Sequence, residues 1–246
     1  MDVGDVMSYP KVWTMGARCT ARLFEGPVSV QEKVDGSQFR FGLNDKGELL
    51  MGSHHQTLYA PEGMFAPAWE YVSDLGRAWM SERFDTSTWF FCEYLGKPKH
   101  NMLAYGCVPT NGLVLFDVWL PSDAGGYWAE SDERRGIARE LAIDAVPVLH
   151  EGLLTLAEAQ AFLTRESYLG GTQIEGIVIK NYAESVLVAG ELWPLFAKIV
   201  RAEYQETHRT EWKSSKGKAN VDDFIDGFRT EARWQKAVQH LAEQGA

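Results

Sequence analysis

The chain is short of cysteine, of positive charge and of long apolar runs, and each shortage narrows what it can do. Its three cysteines, Cys19, Cys92 and Cys107, are odd in number and scattered without CxxC spacing. Neither a disulfide framework nor a structural zinc site is suggested, so free thiols in a reducing compartment are expected. No stretch approaches the roughly 18 uninterrupted apolar residues of a membrane span, and the N-terminal run MDVGDVMSYPKVW has neither a basic n-region nor an apolar h-region. A cytoplasmic monomer with no membrane partner is the expectation. Lys and Arg number 24 against 34 Asp and Glu, for a formal net charge of −10. Bulk electrostatic binding of nucleic acid, which relies on many cations neutralising phosphates, is therefore disfavoured, and any such contact has to be local.

What is present is a core. Hydrophobic residues make up 45% of the 246, with 9 Trp, 9 Tyr and 12 Phe, enough for one sizeable core with a small appendage. Period-two alternation over Val28 to Lys33 and Gln38 to Leu43, with Asp35-Gly36 between them as a tight-turn signal, predicts a β-hairpin. ELLMG, WFFCEYL, LVLFDVW, EGIVIK and LFAKIV are further strand candidates, rich in β-branched and aromatic residues. Helices are predicted over PAWEYVSDLGRAWMSERF, with Trp69, Val72 and Trp79 on one stripe. A second begins after Ser131 as cap, and a third after the capping box Thr155-x-x-Glu158. Val221, Phe224, Ile225, Phe228, Val238 and Leu241 recur at helical spacing near the end, after a basic linker, RTEWKSSKGKAN. Strands outnumber helices, which gives an α+β chain.

The run Glu32-Lys33-Val34-Asp35-Gly36-Ser37-Gln38-Phe39 carries the chemistry. A lysine at a strand end beside a glycine turn is presented at a cleft, where a neutral amine can attack phosphorus. Burial and neighbouring cations lower a lysine pKa toward that state. Alone the run also suits an ordinary turn. Together with four segments farther along the chain, however, it resembles the covalent nucleotidyltransferase superfamily of ATP-dependent DNA and RNA ligases and mRNA capping enzymes. EKVDGSQF resembles motif I, the glutamate of FFCEYLG motif III, LFDVW motif IIIa, EGIVIK motif IV and the lysine of FAKIV motif V, over about Val28 to Glu206.

The resemblance implies an antiparallel-sheet nucleotidyltransferase domain of the ATP-grasp-like ligase kind, flanked by helices. It also implies roles. Lys33 would be the nucleophile that becomes adenylylated; Lys198 would meet the α-phosphate and lower the Lys33 pKa; Glu175 would hold Mg2+ or Mn2+. Glu93 would bind the ribose, Phe116 would stack on adenine, and Glu32 would recognise the base. Asp35, Gly36, Gln38, His54 and Lys180 fall at the remaining nucleotide-binding positions. From the residues alone, Phe116 also reads as core, and Glu32 as a strand-edge carboxylate facing water.

Gln38 stands where DNA ligases and capping enzymes usually carry arginine, so the run instead resembles the KxxG(T/S)NF of the second RNA-ligase family, that of phage nick-sealing and trypanosome editing ligases. Tyr204-Gln205-Glu206 resembles the aromatic-x-Glu found after motif V there. Too few residues remain after Val200 for the OB domain that DNA ligases use. Residues 1–206 are therefore expected to form the adenylyltransferase domain, and 207–246 a basic linker with a helical tail. The chain departs from the pattern at Val200, where motif V usually has a second lysine that Arg201 would replace, and at His54, where an arginine is usual. The implied function is joining of RNA ends, in nicked duplex or splinted RNA, with ATP. A minimal DNA ligase, a GTP-using guanylyltransferase and a non-catalytic nucleotide- or RNA-binding relative stay open.

Overall fold

Alternating stretches become strands throughout the structure, a computed structural model that describes residues 6–188 and 190–202. In chain order these are β1 (Val12–Thr14), β2 (Val28–Lys33), β3 (Ser37–Leu43), β4 (Leu49–Ser53), α1 (Ala66–Arg83), β5 (Trp89–Tyr94) and β6 (Leu113–Leu120). Beyond them come β7 (Tyr127–Trp128), α2 (Ser131–Glu140), β8 (Asp144–Ala145), β9 (Val148–Gly152), α3 (Leu156–Ala161), β10 (Gly176–Val188) and β11 (Glu191–Val200). One sheet has the order β1-β11-β10-β2-β9; the other has β4-β3-β5-β6-β7, with β8 paired to β6. Pairing is antiparallel except for β1 on β11 and β8 on β6. The mixed α+β architecture is the one expected.

The predicted hairpin is not formed. β2 pairs with β9 and β10, whereas β3 pairs with β4 and β5, so Val34 to Gly36 carries the chain from one sheet to the other. Asp35 is committed elsewhere: its carboxylate accepts the backbone N–H groups of Met102 and Leu103 at 2.7 and 2.8 Å. Asn101 Nδ2 donates to the Gly36 carbonyl at 2.8 Å. Gly36 is not among the positive-φ glycines; it is small because a Cβ there would lie 2.9 Å from Leu95 Cδ1 and 3.0 Å from Glu93 Cβ. The turn signal therefore marks a close crossing of chains, which local pattern does not distinguish from a hairpin.

A second correction concerns α2. Ser131 is its first residue, and Glu130, with no side-chain capping bond, occupies the cap. The Ser131 hydroxyl donates instead to Glu151 on β9, while Asp132 and Glu133 place acidic charge in the first turn, where the helix dipole favours it. The capping box of Thr155 and Glu158 forms as expected at the start of α3. In α1 the helical stripe holds, with Val72 fully buried and Trp69 and Trp79 packed against the core, although Gly76 at φ 75° interrupts the helix.

Burial fixes the register of both sheets. On the first sheet Val28, Val30, Ile177, Ile179, Leu195, Ala197 and Ile199 pack into one cluster with Leu23 and Ala159 of α3. Each such aliphatic side chain contributes roughly 1.5–3 kcal/mol when fully buried. Because side chains alternate across a strand, the residues between them, Gln31, Lys33, Val178, Lys180 and Lys198, face the opposite side. A slip of one residue would exchange the two sets. On the second sheet Phe39, Phe41, Phe90, Leu115 and Val118 pack against residues of α1 and α2, among them Ala68, Met80, Ile137 and Ala138.

The three cysteines are free, and no described helix is long and apolar enough to cross a membrane. The expected tail helices, the basic linker and Tyr204-Gln205-Glu206 lie outside the described residues.

Candidate active site

The inner faces of both sheets contribute to a cavity of about 670 Å3. Its lining takes Gln31, Glu32, Lys33, Val178, Lys180 and Lys198 from one sheet, and Gln38, Glu93, Val114 and Phe116 from the other. His54 after β4, Val34, Val146, Trp193 and the segment Tyr9 to Val12 complete it. The volume falls in the range of small-ligand sites, roughly 300–1,000 Å3.

Lys33 ends β2 opposite Gly176, and this register sets its side chain beside Glu175, the residue preceding β10. Nζ donates to Glu175 Oε2 at 2.6 Å, with the two side chains 25% and 13% exposed. Burial works to lower the Lys33 pKa, but Glu175, Glu93 and Asp35 outweigh it and leave the amine raised. This reverses the expectation of a lysine pushed toward neutrality by burial and Lys198: the nearer charges are carboxylates. Glu175 is also raised, chiefly by burial and against the pull of Lys33 and Lys198. Glu175, Glu93 and Asp35 together favour the protonated form of Lys33.

A second buried pair stands on the same face of β10. Lys180 Nζ donates to Asp117 Oδ2 and to the Phe116 carbonyl, each at 2.9 Å. Tyr9 and Tyr182 donate their hydroxyls to the same carboxylate at 2.7 and 3.3 Å. The rings of Tyr9, Phe116 and Phe196 lie 5.5–5.7 Å from the ammonium. Burial lowers the Lys180 pKa to about 8 despite Asp117.

Lys198 stands opposite Val178 in the ladder. Gln38 and His54, which both stand where relatives usually carry other residues, hydrogen-bond each other through Oε1 and Nδ1. Glu32, expected to recognise the base, lines the cavity and accepts hydrogen bonds from Ser167 Oγ at 2.5 Å and from the Tyr168 N–H at 3.2 Å. Burial raises its pKa in spite of those two bonds. Asp35 and Gly36 do not line the cavity, and neither does Arg201, whose guanidinium donates to the Ile174 carbonyl at 3.3 Å.

Among the described residues no three His, Cys, Asp or Glu side chains are grouped to hold a metal. Mg2+ and Mn2+ suit the site in another way, since such ions are commonly held by one or two carboxylates with the remaining oxygens from phosphate and water. Glu175 and Glu93 are the carboxylates available beside Lys33.

Sequence reasoning missed Gln31, the Tyr9 to Val12 wall, Trp193 and Asp117. Gln31 was within reach, because alternation puts it on the face of Lys33. The N-terminal wall had no local signal, as its placement depends on β1 pairing with Phe196 to Lys198 of β11.

The RNA ligase family matches residues 26–199. No curated protein matches the chain. Among solved structures, a Naegleria gruberi RNA ligase with pyrophosphate is 16% identical with a TM-score of 0.58, over 83% of this chain and 61% of that one. A mutant of that ligase with ATP and Mn gives 16% and 0.59, over 84% and 60%. Another mutant, with AMP and Mn, gives 16% identity and a TM-score of 0.59 over the same shares. At this identity the likeness is one of fold, and the chain spans about three fifths of the length of the structures it matches.

Proposed function

The chain belongs to the RNA ligase family, and on that premise we propose that it is an ATP-dependent enzyme joining RNA 3′-hydroxyl and 5′-phosphate ends, acting in RNA repair in the cytoplasm. The observation that carries this reading is the pairing of Lys33 and Glu175 at 2.6 Å, beside a cavity that also receives Lys198 and Glu93.

In the proposed reaction Lys33 Nζ attacks the α-phosphorus of ATP. A nitrogen–phosphorus bond forms, the bond to the bridging oxygen of the β-phosphate breaks, and pyrophosphate leaves. Glu175 is positioned to receive the ammonium proton first, and its own raised pKa makes it a better acceptor than an exposed carboxylate. The RNA 5′-phosphate then attacks the lysyl-AMP phosphorus and frees the lysine. Finally the 3′-hydroxyl attacks the activated 5′-phosphate and releases AMP. These displacements depend mainly on positioning and on cationic stabilisation of phosphate charge. Lys198 is assigned to the α-phosphate, Glu93 to the ribose, and Phe116 with Val178 to the faces of the base. Mg2+ or Mn2+ beside Glu175 would supply further positive charge against the phosphates. Gln38 and His54, bonded to each other at the cavity wall, are assigned to the nucleotide or the RNA end.

Residues 1–206 are proposed as the adenylyltransferase unit and 207–246 as an RNA-holding tail. Between Arg201 and Lys218 the basic residues Arg201, Arg209, Lys213, Lys216 and Lys218 outnumber the acidic ones. The test is to offer the full chain, with ATP and Mg2+, a nicked RNA duplex, RNA ends splinted by DNA, a single strand and a nicked DNA. Sealing of RNA nicks or splinted RNA is expected; sealing of the DNA nick alone overturns the substrate assignment. Truncation after Glu206 should spare AMP attachment and weaken sealing, most at high salt, where phosphate contacts are screened.

A further inference from the structure

Buried polar groups are nearly always hydrogen-bonded, so an unpaired one that faces a cavity marks a place for a ligand atom. Gln31 is such a group. It is 1% exposed, stands two residues before Lys33 on the same face of β2, and lines the cavity. Its Nε2 has no hydrogen-bond partner among the described residues. The other buried polar atoms in this condition belong to Trp13, Ser29, Arg40, Thr88 and Arg134, none of which lines the cavity.

Apolar residues line part of the cavity that Gln31 faces, beside the charged Lys33, Glu93, Lys180 and Lys198. Val178 is its partner on β10, and Val114, Val146 and Phe116 line the same cavity. Aliphatic and aromatic walls with one buried carboxamide suit a flat heteroaromatic ring, whose faces pack and whose edge hydrogen-bonds. Glu32, the neighbouring candidate for this task, has its carboxylate engaged by Ser167 and Tyr168.

Resting on nucleotidyl transfer as the function of the site, we infer that Gln31 reads the nucleobase, its Nε2 donating to a ring nitrogen of adenine. A carboxamide both donates and accepts, which matches adenine's edge, where the N7 acceptor stands beside the N6 donor. Guanine presents two acceptors there, O6 and N7, and leaves the amide oxygen facing an acceptor. A site built around such a bond rejects a ring that cannot complete it, because the buried partner is then left unsatisfied.

The experiment compares the full chain with Gln31→Met and Gln31→Glu, which keep the size of the side chain and lose the donor. AMP or GMP attachment is followed over a range of ATP or GTP, and equilibrium binding of each nucleotide is measured by calorimetry. The parent should prefer ATP. Gln31→Met should raise the KM for ATP roughly tenfold or more, with the saturated rate little changed, and should narrow the ATP-to-GTP preference. An unchanged preference in a variant that melts like the parent overturns the assignment, and Gln31→Glu decides if the methionine variant does not fold. If the parent binds ATP without forming an adduct, nucleotidyl transfer fails as a reading while the calorimetric preference still judges Gln31. If neither nucleotide binds, both readings fall.

Discussion

Two lysine–carboxylate pairs set their lysines, Lys33 of β2 and Lys180 of β10, on the inner face of one sheet, and they differ in exposure and in surroundings. Lys33 and Glu175 meet at 2.6 Å with 25% and 13% of their side chains exposed; Lys180 and Asp117 meet at 2.9 Å with 1% and 0%. Carboxylates surround Lys33 and hold its proton. Three aromatic rings surround Lys180, and burial prevails, lowering its pKa to about 8. The first pair lies at the cavity and is the more exposed of the two. The second is tied to a backbone carbonyl and two tyrosine hydroxyls besides, and it joins β6, β10 and the N-terminal segment. Two motif lysines lining one cavity thus stand in different surroundings.

The comparison breaks most sharply at Lys33. Lys33→Ala should remove AMP attachment and ATP-dependent sealing completely, while its unfolding midpoint moves far less than that of the Lys180 variant. Persistent sealing from ATP would show that another group is the nucleophile. Next in size, Lys180→Met strands the Asp117 carboxylate in the interior and should cost about 3–5 kcal/mol in denaturant unfolding. Lys180→Met with Asp117→Leu should recover most of that loss, since replacing both members removes the uncompensated charge. The pair also has a pH signature. The folded pKa of Lys180 is about 8, below its unfolded value of about 10.4, so between those values the unfolded chain binds more protons and this group's contribution to stability rises with pH. The double variant should lack that alkaline gain, and an equal slope in both proteins would place the titration elsewhere.

Glu175→Gln sharpens the contrast from the other side. It removes the nearest charge holding the Lys33 proton, so the pH dependence of AMP attachment should move to lower pH. The maximum rate should also fall, by roughly tenfold or more, with the loss of a proton acceptor and an oxygen donor. A near-normal rate with an unmoved profile would remove Glu175 from the site. The smallest effect is expected at the cavity wall. His54→Arg places a permanent cation at the cavity wall, so on a pre-adenylylated RNA, which bypasses Lys33, its sealing should depend less on pH than the parent's. Identical profiles in the parent and His54→Arg would mean that histidine charge plays no part in sealing.

Much of this was legible because strands write themselves in period two. Val28 to Lys33 alternates as the sequence predicts, with Val28 and Val30 in the core and Gln31 and Lys33 at the cavity, and the ordered motifs pointed to one cavity. What stayed hidden was pairing between distant residues. Asp35-Gly36 reads as a hairpin turn until the N–H groups of Met102 and Leu103 are known to claim the carboxylate. Ser131 reads as a cap until Glu151 is seen to take its hydroxyl. The high pKa of Lys33 depends on Glu175, 142 positions away, and on Glu93, so no local rule for buried lysines recovers its sign. Lys180 lies in motif IV, yet only the positions of Asp117 and the three rings reveal how closely it is enclosed.

Covalent attachment of AMP to Lys33 is tested most directly by intact-protein mass spectrometry of the full chain after incubation with ATP and Mg2+, with peptide mapping of the product. A single added AMP is predicted, located on Lys33 and released by pyrophosphate. An adduct on any other residue, or none in a folded protein that binds ATP, would contradict the role given to Lys33.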